Sequence, residues 1–134
     1  MLLVKTKIGP STIAGTGIFA DEFIPADTVV WQFIPGKDDA YTRKQVEGLP
    51  EPKRSEILSL YHSYISKQTG RYVWHGDSAG YFNHSDHPNL RTEYREGVEE
   101  DLNIAARDIH PGEEITQDYT IFAQEGLDFK PSLT

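Results

Sequence analysis

Three groups of residues in this chain of 134 residues have the types and the spacing that chemistry requires. The segment GDSAG at 76–80 has the pattern G-x-S-x-G, in which a serine can act as a nucleophile. Histidine and aspartate, common ligands of zinc and iron, are concentrated between positions 75 and 87. The third group is a series of three motifs: GTGIFA at 15–20, NHSDHPN at 83–89 and AARDIHPGEEITQDY at 105–119.

The serine pattern lacks the surroundings that a serine hydrolase requires. A nucleophile elbow lies between a strand and a long helix of a large α/β sheet, and the acid and the histidine follow later in the chain. Here the residues after the motif are YFNHSDHPN, which are too rich in turn formers to begin a long helix. No alternation of strands and helices precedes the motif. We therefore do not expect a serine hydrolase.

The histidine and aspartate group is a weak candidate for a metal site. A catalytic metal needs at least three converging ligands and an open position. Pro88 excludes a helix at 84–89, so two histidines do not lie one helical turn apart there. Polar side chains in a loop commonly bind the backbone of that loop. We expect no metal, and a His/Asp metal-dependent enzyme stays an alternative based on His75, Asp77, His84, Asp86 and His87.

The three motifs of the third group gain specificity from their order and separation. Each motif alone is common, and a single G-x-G frequently marks only the turn before a strand. All three together, in this order and across most of the chain, form a much rarer pattern. They are therefore the strongest functional signal in the sequence.

The elements that must position these motifs are mainly short strands. Runs of β-branched and aromatic residues, separated by glycine and proline, predict strands at 2–8, 17–20, 28–34, 71–74, 90–95 and 102–106. A turn is predicted at 9–11, and the acidic turn at 96–101, which includes Glu99, Glu100 and Asp101, is predicted to be solvated. Many short strands with one helical insertion indicate a mainly β (α+β) fold built of small sheets.

The helical insertion is predicted between positions 42 and 65. Thr42 to Gln45 has the form of a capping box, and Gly48 can end a short helix. A second helix is expected after Pro52. Its apolar residues recur at helical spacing and form one stripe, consisting of Ile57, Leu58, Tyr61, Tyr64 and Ile65.

Composition limits the classes of protein further. The length fits a single domain spanning 1–134. The absence of cysteine excludes disulfides, zinc–thiolate sites and iron–sulfur clusters. No apolar run is long enough for a membrane span or a signal peptide, so we expect a cytoplasmic protein. The net charge of −8 argues against binding to duplex nucleic acid and is compatible with a basic peptide as partner.

Taken together, the three motifs resemble the signature of the SET-domain protein-lysine methyltransferases, especially small stand-alone bacterial and viral members. The similarity covers 5–122 and leaves 123–134 as a short tail. It implies a β-clip fold of short sheets with a knot-like threaded C-terminal segment. It also implies transfer of a methyl group from S-adenosylmethionine to the neutral amine of a lysine in a protein substrate. A non-catalytic β-clip module that binds peptides is the alternative.

The resemblance assigns roles to particular residues. Tyr119 matches the catalytic tyrosine of the family. The positions that match the cofactor-binding residues are Gly15, Thr16, Gly17, Asn83, His84 and Tyr119. The glycines would let the backbone approach the methionine end of the cofactor. The substrate-binding positions are Tyr81, Gln117 and Phe122. No metal is implied. The resemblance leaves the oligomeric state undecided, because some small relatives are dimers.

Three positions depart from the family pattern. Gly80 stands where many members have an arginine. Asp86 stands where many members have a cysteine that binds zinc together with cysteines of a C-terminal tail. This chain has neither that cysteine nor a cysteine-rich tail. Phe122 and the tail at 126–134 are therefore expected to close the lysine channel instead. Gln117 stands where a phenylalanine or tyrosine sets the number of methyl groups, so that number stays open.

Overall fold

The computed structural model describes residues 1–60 and 62–124, so Tyr61 and the tail from 125 onward lie outside the described residues. The strands are β1 (Thr6–Pro10), β2 (Thr16–Ala20), β3 (Val29–Gln32), β4 (Asp39–Tyr41), β5 (Ser63–Ile65), β6 (Tyr72–Trp74), β7 (Asn83–His84), β8 (Leu90–Glu93), β9 (Leu102–Ala105) and β10 (Thr116–Gln117). The helices are α1 (Arg43–Glu47), α2 (Lys53–Leu58), α3 (Tyr119–Phe122) and a 3₁₀ helix (Ser78–Tyr81). No helix in the described ranges is long and apolar enough to cross a membrane.

These strands form four small sheets. The pair β1-β2 and the three-stranded sheets β3-β9-β8 and β4-β6-β5 are antiparallel. The fourth sheet is the short parallel pair of β7 and β10, two strands that are distant in the sequence. This mainly β architecture of small sheets confirms the predicted fold class.

The first hairpin places the glycine-rich motif. Gly9 and Pro10 belong to β1 and pair with Gly17 and Thr16, so the turn begins at Ser11, later than predicted. The Ser11 hydroxyl accepts hydrogen bonds from the backbone N–H groups of the turn at 2.9 and 3.3 Å. Hydroxyl groups commonly stabilise turns in this way. The hairpin therefore presents the turn and the start of β2 at one end of the sheet.

Most of the stability comes from one apolar core between the sheets. Its largest fully buried members include Ile18 from β2, Trp31 from β3, and Ile109 and Ile115 from the closing motif. Burial of each such side chain stabilises the fold by about 1.5–3 kcal/mol before entropy is subtracted. A second, smaller cluster of Val46, Ile57, Ile65 and Tyr72 holds α1 and α2 against the sheet β4-β6-β5.

Helix α1 begins as the sequence predicts. The Thr42 side chain accepts a hydrogen bond from the N–H of Gln45 at 3.2 Å, and the Gln45 side chain accepts from the N–H of Thr42 at 2.8 Å. This reciprocal pair is the predicted capping box. Gly48 follows as the C-cap, also as predicted.

The second helix is shorter than predicted. Helix α2 ends at Leu58, and Leu60 has a left-handed backbone with φ of 58°. The predicted apolar stripe then continues as strand β5, all of whose residues are buried. Strand β5 pairs with β6, and the hydroxyl of Ser63 donates to the carbonyl of Ile57 at 2.8 Å. Pairing with the next strand has therefore overridden a spacing that is typical of a helix.

The hairpin of β8 and β9 is confirmed, but the prediction of a solvated acidic turn is wrong for two of its acids. Glu100 and Asp101 are 4% and 1% exposed. Glu100 accepts from the hydroxyl of Thr69 at 2.9 Å and from Arg71 Nε at 2.8 Å. Asp101 Oδ1 accepts a hydrogen bond from the hydroxyl of Tyr64. These contacts fasten the turn to the neighbouring sheet.

Replacement of Asp101 by asparagine is expected to remove a pH dependence of stability. Burial raises the pKa of Asp101 from 3.8 to about 6, although the hydrogen bond from Tyr64 opposes this shift. Such a carboxyl favours the folded state below pH 3.8 and loses this contribution as the pH rises to about 6. Denaturant melts at about pH 4 and pH 7 should therefore show that wild type loses about 2 kcal/mol more than Asp101→Asn. Parallel pH profiles for the two proteins would contradict this.

Candidate active site

One buried asparagine joins the three sequence motifs. The side chain of Asn83 is 1% exposed and lies between the hairpin turn and the closing motif. Its Nδ2 donates to Glu114 Oε2 at 2.8 Å and contacts the carbonyls of Ala14 at 3.1 Å and Thr16 at 3.3 Å. An amide nitrogen has only two hydrogens, so at least one of them is shared. The hairpin turn, Asn83 and the closing motif are therefore brought together.

Gly17 is required at this junction for a reason that the sequence does not reveal. A Cβ at this position would lie 2.4 Å from Glu114 Oε2 and 3.1 Å from the Cβ of Ser11. The Ser11 hydroxyl donates to the Glu114 carboxylate at 2.7 and 2.9 Å. Gly17 thus makes room for that carboxylate. Gly15 has a left-handed backbone with φ of 46°, a conformation that glycine adopts readily.

The middle motif is held along its length by the closing motif. In the parallel pair, Asn83 lies beside Thr116, and the N–H of Ser85 donates to the carbonyl of Gln117 at 2.8 Å. Asn89 then uses both ends of its amide: Nδ2 donates to the carbonyl of Glu114 at 2.8 Å, and Oδ1 accepts from the N–H of Thr116 at 2.8 Å. The side-chain contacts with backbone in this segment agree with its predicted structural role.

His84 positions the start of α3. Its Nδ1 accepts a hydrogen bond from the backbone N–H of Tyr119 at 3.0 Å, so the ring proton of the neutral imidazole lies on Nε2. Nε2 is 3.1 Å from Asp86 Oδ1. Asp118 caps the same helix through a hydrogen bond from the N–H of Thr120 at 3.0 Å. Two neighbouring side chains therefore fix the backbone that carries Tyr119.

The hydroxyl of Tyr119 points into the protein. It donates a hydrogen bond to the carbonyl of Phe82, the residue before Asn83. Burial raises the pKa of Tyr119 well above the usual value of a tyrosine, and the charge of Glu114 raises it further. The hydroxyl therefore stays protonated at neutral pH and cannot act as a general base. It can orient another polar group through its oxygen.

Two further aromatic rings pack in a row next to Tyr119. Phe122 lies 5.9 Å from the Tyr119 ring, and Tyr64 packs edge-on against Phe122 at 4.9 Å. The N–H of Lys67 donates to the carbonyl of Phe122 at 2.9 Å, which attaches α3 to the chain after β5. Phe122 thus lies beside Tyr119 as a channel wall would require. The tail at 126–134, the other part of the expected closure, lies outside the described residues.

The other two predicted substrate positions have different surroundings. Gln117 is 6% exposed and lies in β10, two residues before Tyr119. The Tyr81 ring instead packs edge-on against His62 at 5.0 Å. Together with Glu56 and Trp74, these rings line a cavity of about 520 Å³. Of the residues that the family resemblance assigns to cofactor or substrate, Tyr81 is the one that lines this cavity among the described residues.

The ring of His62 occupies the space beside Gly80, the position where many family members have an arginine. A Cβ at Gly80 would lie 2.2 Å from Nδ1 and 3.0 Å from Cγ of the His62 ring. The imidazole therefore fills the space into which a side chain at position 80 would point. The departure from the family pattern at Gly80 is thus accompanied by a bulky residue at 62.

Gly80→Ala is expected to lower the free energy of unfolding by about 1–3 kcal/mol, because the new methyl group overlaps the imidazole. The loss should be smaller when the same change is made in a His62→Ala background, where the space is free. Denaturant melts of wild type, both single variants and the double variant measure this coupling. If the two changes were additive, the steric explanation for Gly80 would be wrong.

The alternative sites from the sequence do not assemble in the described ranges 1–60 and 62–124. No group of three histidine or acidic side chains in these ranges is close enough to hold a metal ion. Burial lowers the pKa of His75 to about 4, and Asp77 accepts from the backbone N–H groups of Leu2 and Ala79. Ser78 begins a 3₁₀ helix and does not occupy a strand–turn–helix elbow.

Several residues of the site had no assigned role in the sequence. Glu114 belongs to the quoted closing motif, but nothing in its spacing shows that it meets Asn83 and Ser11. The sequence predicts that Tyr64 lies in a helical stripe. Phe82 contributes through its carbonyl group. A backbone group has no sequence signal, and side-chain contacts over long separations cannot be deduced from local pattern.

Fold and site together define a small, mainly β protein in which three separated motifs meet beside a buried tyrosine. A family model of the SET domain matches residues 15–120, which is most of the chain. The chain belongs to the SET-domain family, as the three motifs predict.

A solved structure from Plasmodium falciparum, described as a candidate histone methyltransferase, has a similar fold. Its TM-score is 0.56 at 20% sequence identity, and the similarity covers 88% of this chain and 95% of that chain. At this identity the likeness concerns the fold. A comparison with curated proteins gives no match.

Proposed function

We propose that this protein is an S-adenosylmethionine-dependent protein-lysine N-methyltransferase. The observation that carries the proposal is the protonated hydroxyl of Tyr119, held against the carbonyl of Phe82 where the three motifs meet. Membership of the SET-domain family supports a methyltransferase over a module that only binds peptides. The tyrosine and the G-x-G segment, which a non-catalytic module could lose, are both present.

The residues that would hold the cofactor are the turn at Gly15, Thr16 and Gly17, together with Asn83 and His84. When bound, S-adenosylmethionine supplies an electrophilic methyl group on a positively charged sulfur. The site suits a cation, because the carboxylate of Glu114 lies at Gly17 and Asn83. Asn83 fixes the turn through the carbonyls of Ala14 and Thr16, so the cofactor would meet a loop whose conformation is already set.

The protein residues contribute alignment and exclusion of water more than proton transfer. A free lysine has a pKa near 10.4, whereas the reacting amine must be neutral. The apolar wall of Phe122 and Tyr64 disfavours the ammonium form of an entering lysine. The Tyr119 oxygen and the Phe82 carbonyl can orient the amine and hold a polarised methyl group through weak C–H···O contacts. A near-attack geometry can supply several kcal/mol of the barrier.

The proposed substrate is a lysine-containing protein or peptide with a basic sequence. The net charge of −8 would accelerate the approach of such a peptide. Tyr81, Gln117 and Phe122 are the proposed substrate-binding residues. The proposal treats 1–134 as one domain that acts in the cytoplasm, and a homodimer is compatible with it.

Methyl transfer can be tested with methyl-labelled S-adenosylmethionine and a lysate, followed by mass spectrometry of the labelled proteins. We expect methyl-lysine with wild type and almost none with Tyr119→Phe. A chelator should not change the activity, since no metal is part of the proposal. Peptide binding without any binding of the cofactor would favour the peptide-binding module. An activity that a chelator removes and zinc restores would favour the metalloenzyme.

A further inference from the structure

Glu114 is a partly buried acid whose described hydrogen bonds all come from neutral groups. Its Oε2 accepts from Asn83 Nδ2 at 2.8 Å, and its carboxylate accepts from the hydroxyl of Ser11 at 2.7 and 2.9 Å. Both donors are neutral groups, so neither cancels the charge. No lysine, arginine or histidine in the described part of the chain forms an ion pair with Glu114.

The neighbouring acid, Glu113, has a cationic partner. Glu113 accepts from Arg107 Nη1 at 3.1 Å and from the backbone N–H of His110 at 2.8 Å. These contacts lower the pKa of Glu113, with the bond from His110 as the largest cause. A partly buried carboxylate without a positive partner costs free energy. Both residues are acids, but among the described residues only Glu113 has a positively charged partner.

The position of Glu114 relates it to the proposed reaction. Its Oε2 would lie 2.4 Å from a Cβ at Gly17, and its partner Asn83 follows Phe82, whose carbonyl holds the Tyr119 hydroxyl. The charge of Glu114 also adds to the effect of burial on the pKa of Tyr119, so its field reaches that hydroxyl. The carboxylate thus lies close to Gly17 and Asn83, which are assigned to the cofactor, and acts on Tyr119, which is assigned to methyl transfer.

We infer that Glu114 is a specificity-determining residue whose negative charge makes the site prefer the sulfonium form of the cofactor over the uncharged thioether product. The inference rests on the proposed function. In the reaction the C–S bond breaks with its electron pair left on sulfur, and the lysine lone pair forms the C–N bond. The positive charge therefore leaves the sulfur. A fixed carboxylate attracts the cofactor before this change and no longer attracts the sulfur of the product.

Calorimetric titration of S-adenosylmethionine and S-adenosylhomocysteine into wild type and Glu114→Gln tests this preference. The glutamine side chain retains an oxygen that can accept from Asn83 and Ser11, so the junction is preserved. The ratio of the two dissociation constants should shift by roughly tenfold towards the thioether in Glu114→Gln. A purely structural role would weaken both ligands alike and leave the ratio unchanged.

Glu113→Gln is the matched control, because it removes an adjacent acid that already has a cationic partner. Its ratio should stay within about twofold of wild type, since a paired surface charge has little effect at a distance. Glu114→Asp, which keeps the charge, should stay close to wild type as well. If Glu114→Gln shows the wild-type ratio, the inference is overturned and the proposed function stands. If wild type binds neither molecule, both are overturned.

A salt series with wild type decides the question where Glu114→Gln does not fold. Salt screens a charge–charge attraction over about 10 Å at 0.1 M ionic strength. The preference for the sulfonium form should therefore decrease as sodium chloride is raised, whereas the affinity for the thioether should change much less. A ratio that is independent of salt would overturn the inference.

Discussion

Tyr119→Phe is expected to keep the fold and the cofactor affinity but to lower turnover by about 100-fold or more. Such a loss corresponds to about 2.7 kcal/mol of transition-state stabilisation. The hydroxyl is the only group that the change removes, and its described bond is to the carbonyl of Phe82. The ring would keep its contacts with His84 and Phe122. An interaction made mainly in the transition state lowers kcat and leaves binding nearly unchanged.

The high pKa of Tyr119 sharpens this expectation. Burial and the charge of Glu114 keep the phenol neutral across the physiological range. A tyrosine that acted as a base would give a rate that rises with the fraction of phenolate. An orienting hydroxyl gives no such dependence below about pH 10. The rate of wild type should therefore follow the deprotonation of the lysine substrate, with no separate contribution from Tyr119.

Single-turnover rates on one accepted lysine peptide would measure the effect, and Tyr64→Phe is the matched control. Tyr64 belongs to the same aromatic group, but its hydroxyl donates to Asp101 and not to Phe82. We expect Tyr64→Phe to lose stability while keeping turnover within about threefold of wild type. A wild-type rate for Tyr119→Phe would remove Tyr119 from the mechanism.

The fold class and the meeting of the three motifs could be predicted from the sequence, because the motifs impose local backbone and side-chain demands. Glycine at positions 15 and 17 and asparagine at 83 are residue types with few substitutes in their environments. The capping box of α1 is likewise local, since Thr42 and Gln45 are three residues apart. Turns and helix caps of this kind depend on residues that are close together in the sequence, so the sequence alone can predict them.

The errors concern contacts that the local spacing of residue types does not show. The spacing of apolar residues after Ile57 fits a helix, but the chain at 63–65 gains three backbone partners and full burial by pairing with β6. Asp101 meets Tyr64, and Gly80 meets His62, across separations that no local pattern records. In each case a tertiary contact decides the conformation or the burial, and local propensity is only a weak guide.

Asn83→Ala is expected to be the most destabilising single change at the junction, with a loss of about 3–5 kcal/mol in the free energy of unfolding. The amide of Asn83 contacts the Glu114 carboxylate and the carbonyls of Ala14 and Thr16. Its removal leaves a partly buried carboxylate with one donor fewer and two carbonyls without this partner. Hydrogen bonds to charged groups contribute about 1.5–3 kcal/mol, and a buried unpaired group adds its own desolvation cost.

Asn103→Ala provides the matched control for this change in denaturant melts. Asn103 is also an asparagine in a strand, 2% exposed; its side chain accepts from the Thr92 hydroxyl at 3.3 Å and also interacts with the buried carboxyl of Asp101, but it joins no separated motifs. Its replacement should cost about 1–2 kcal/mol, which is less than the loss at Asn83. Because Asn83 also fixes the turn at 14–16, Asn83→Ala should weaken cofactor binding even where the variant is fully folded. Equal losses at the two asparagines would show that burial alone matters, and that the junction of the three motifs does not depend on the amide of Asn83.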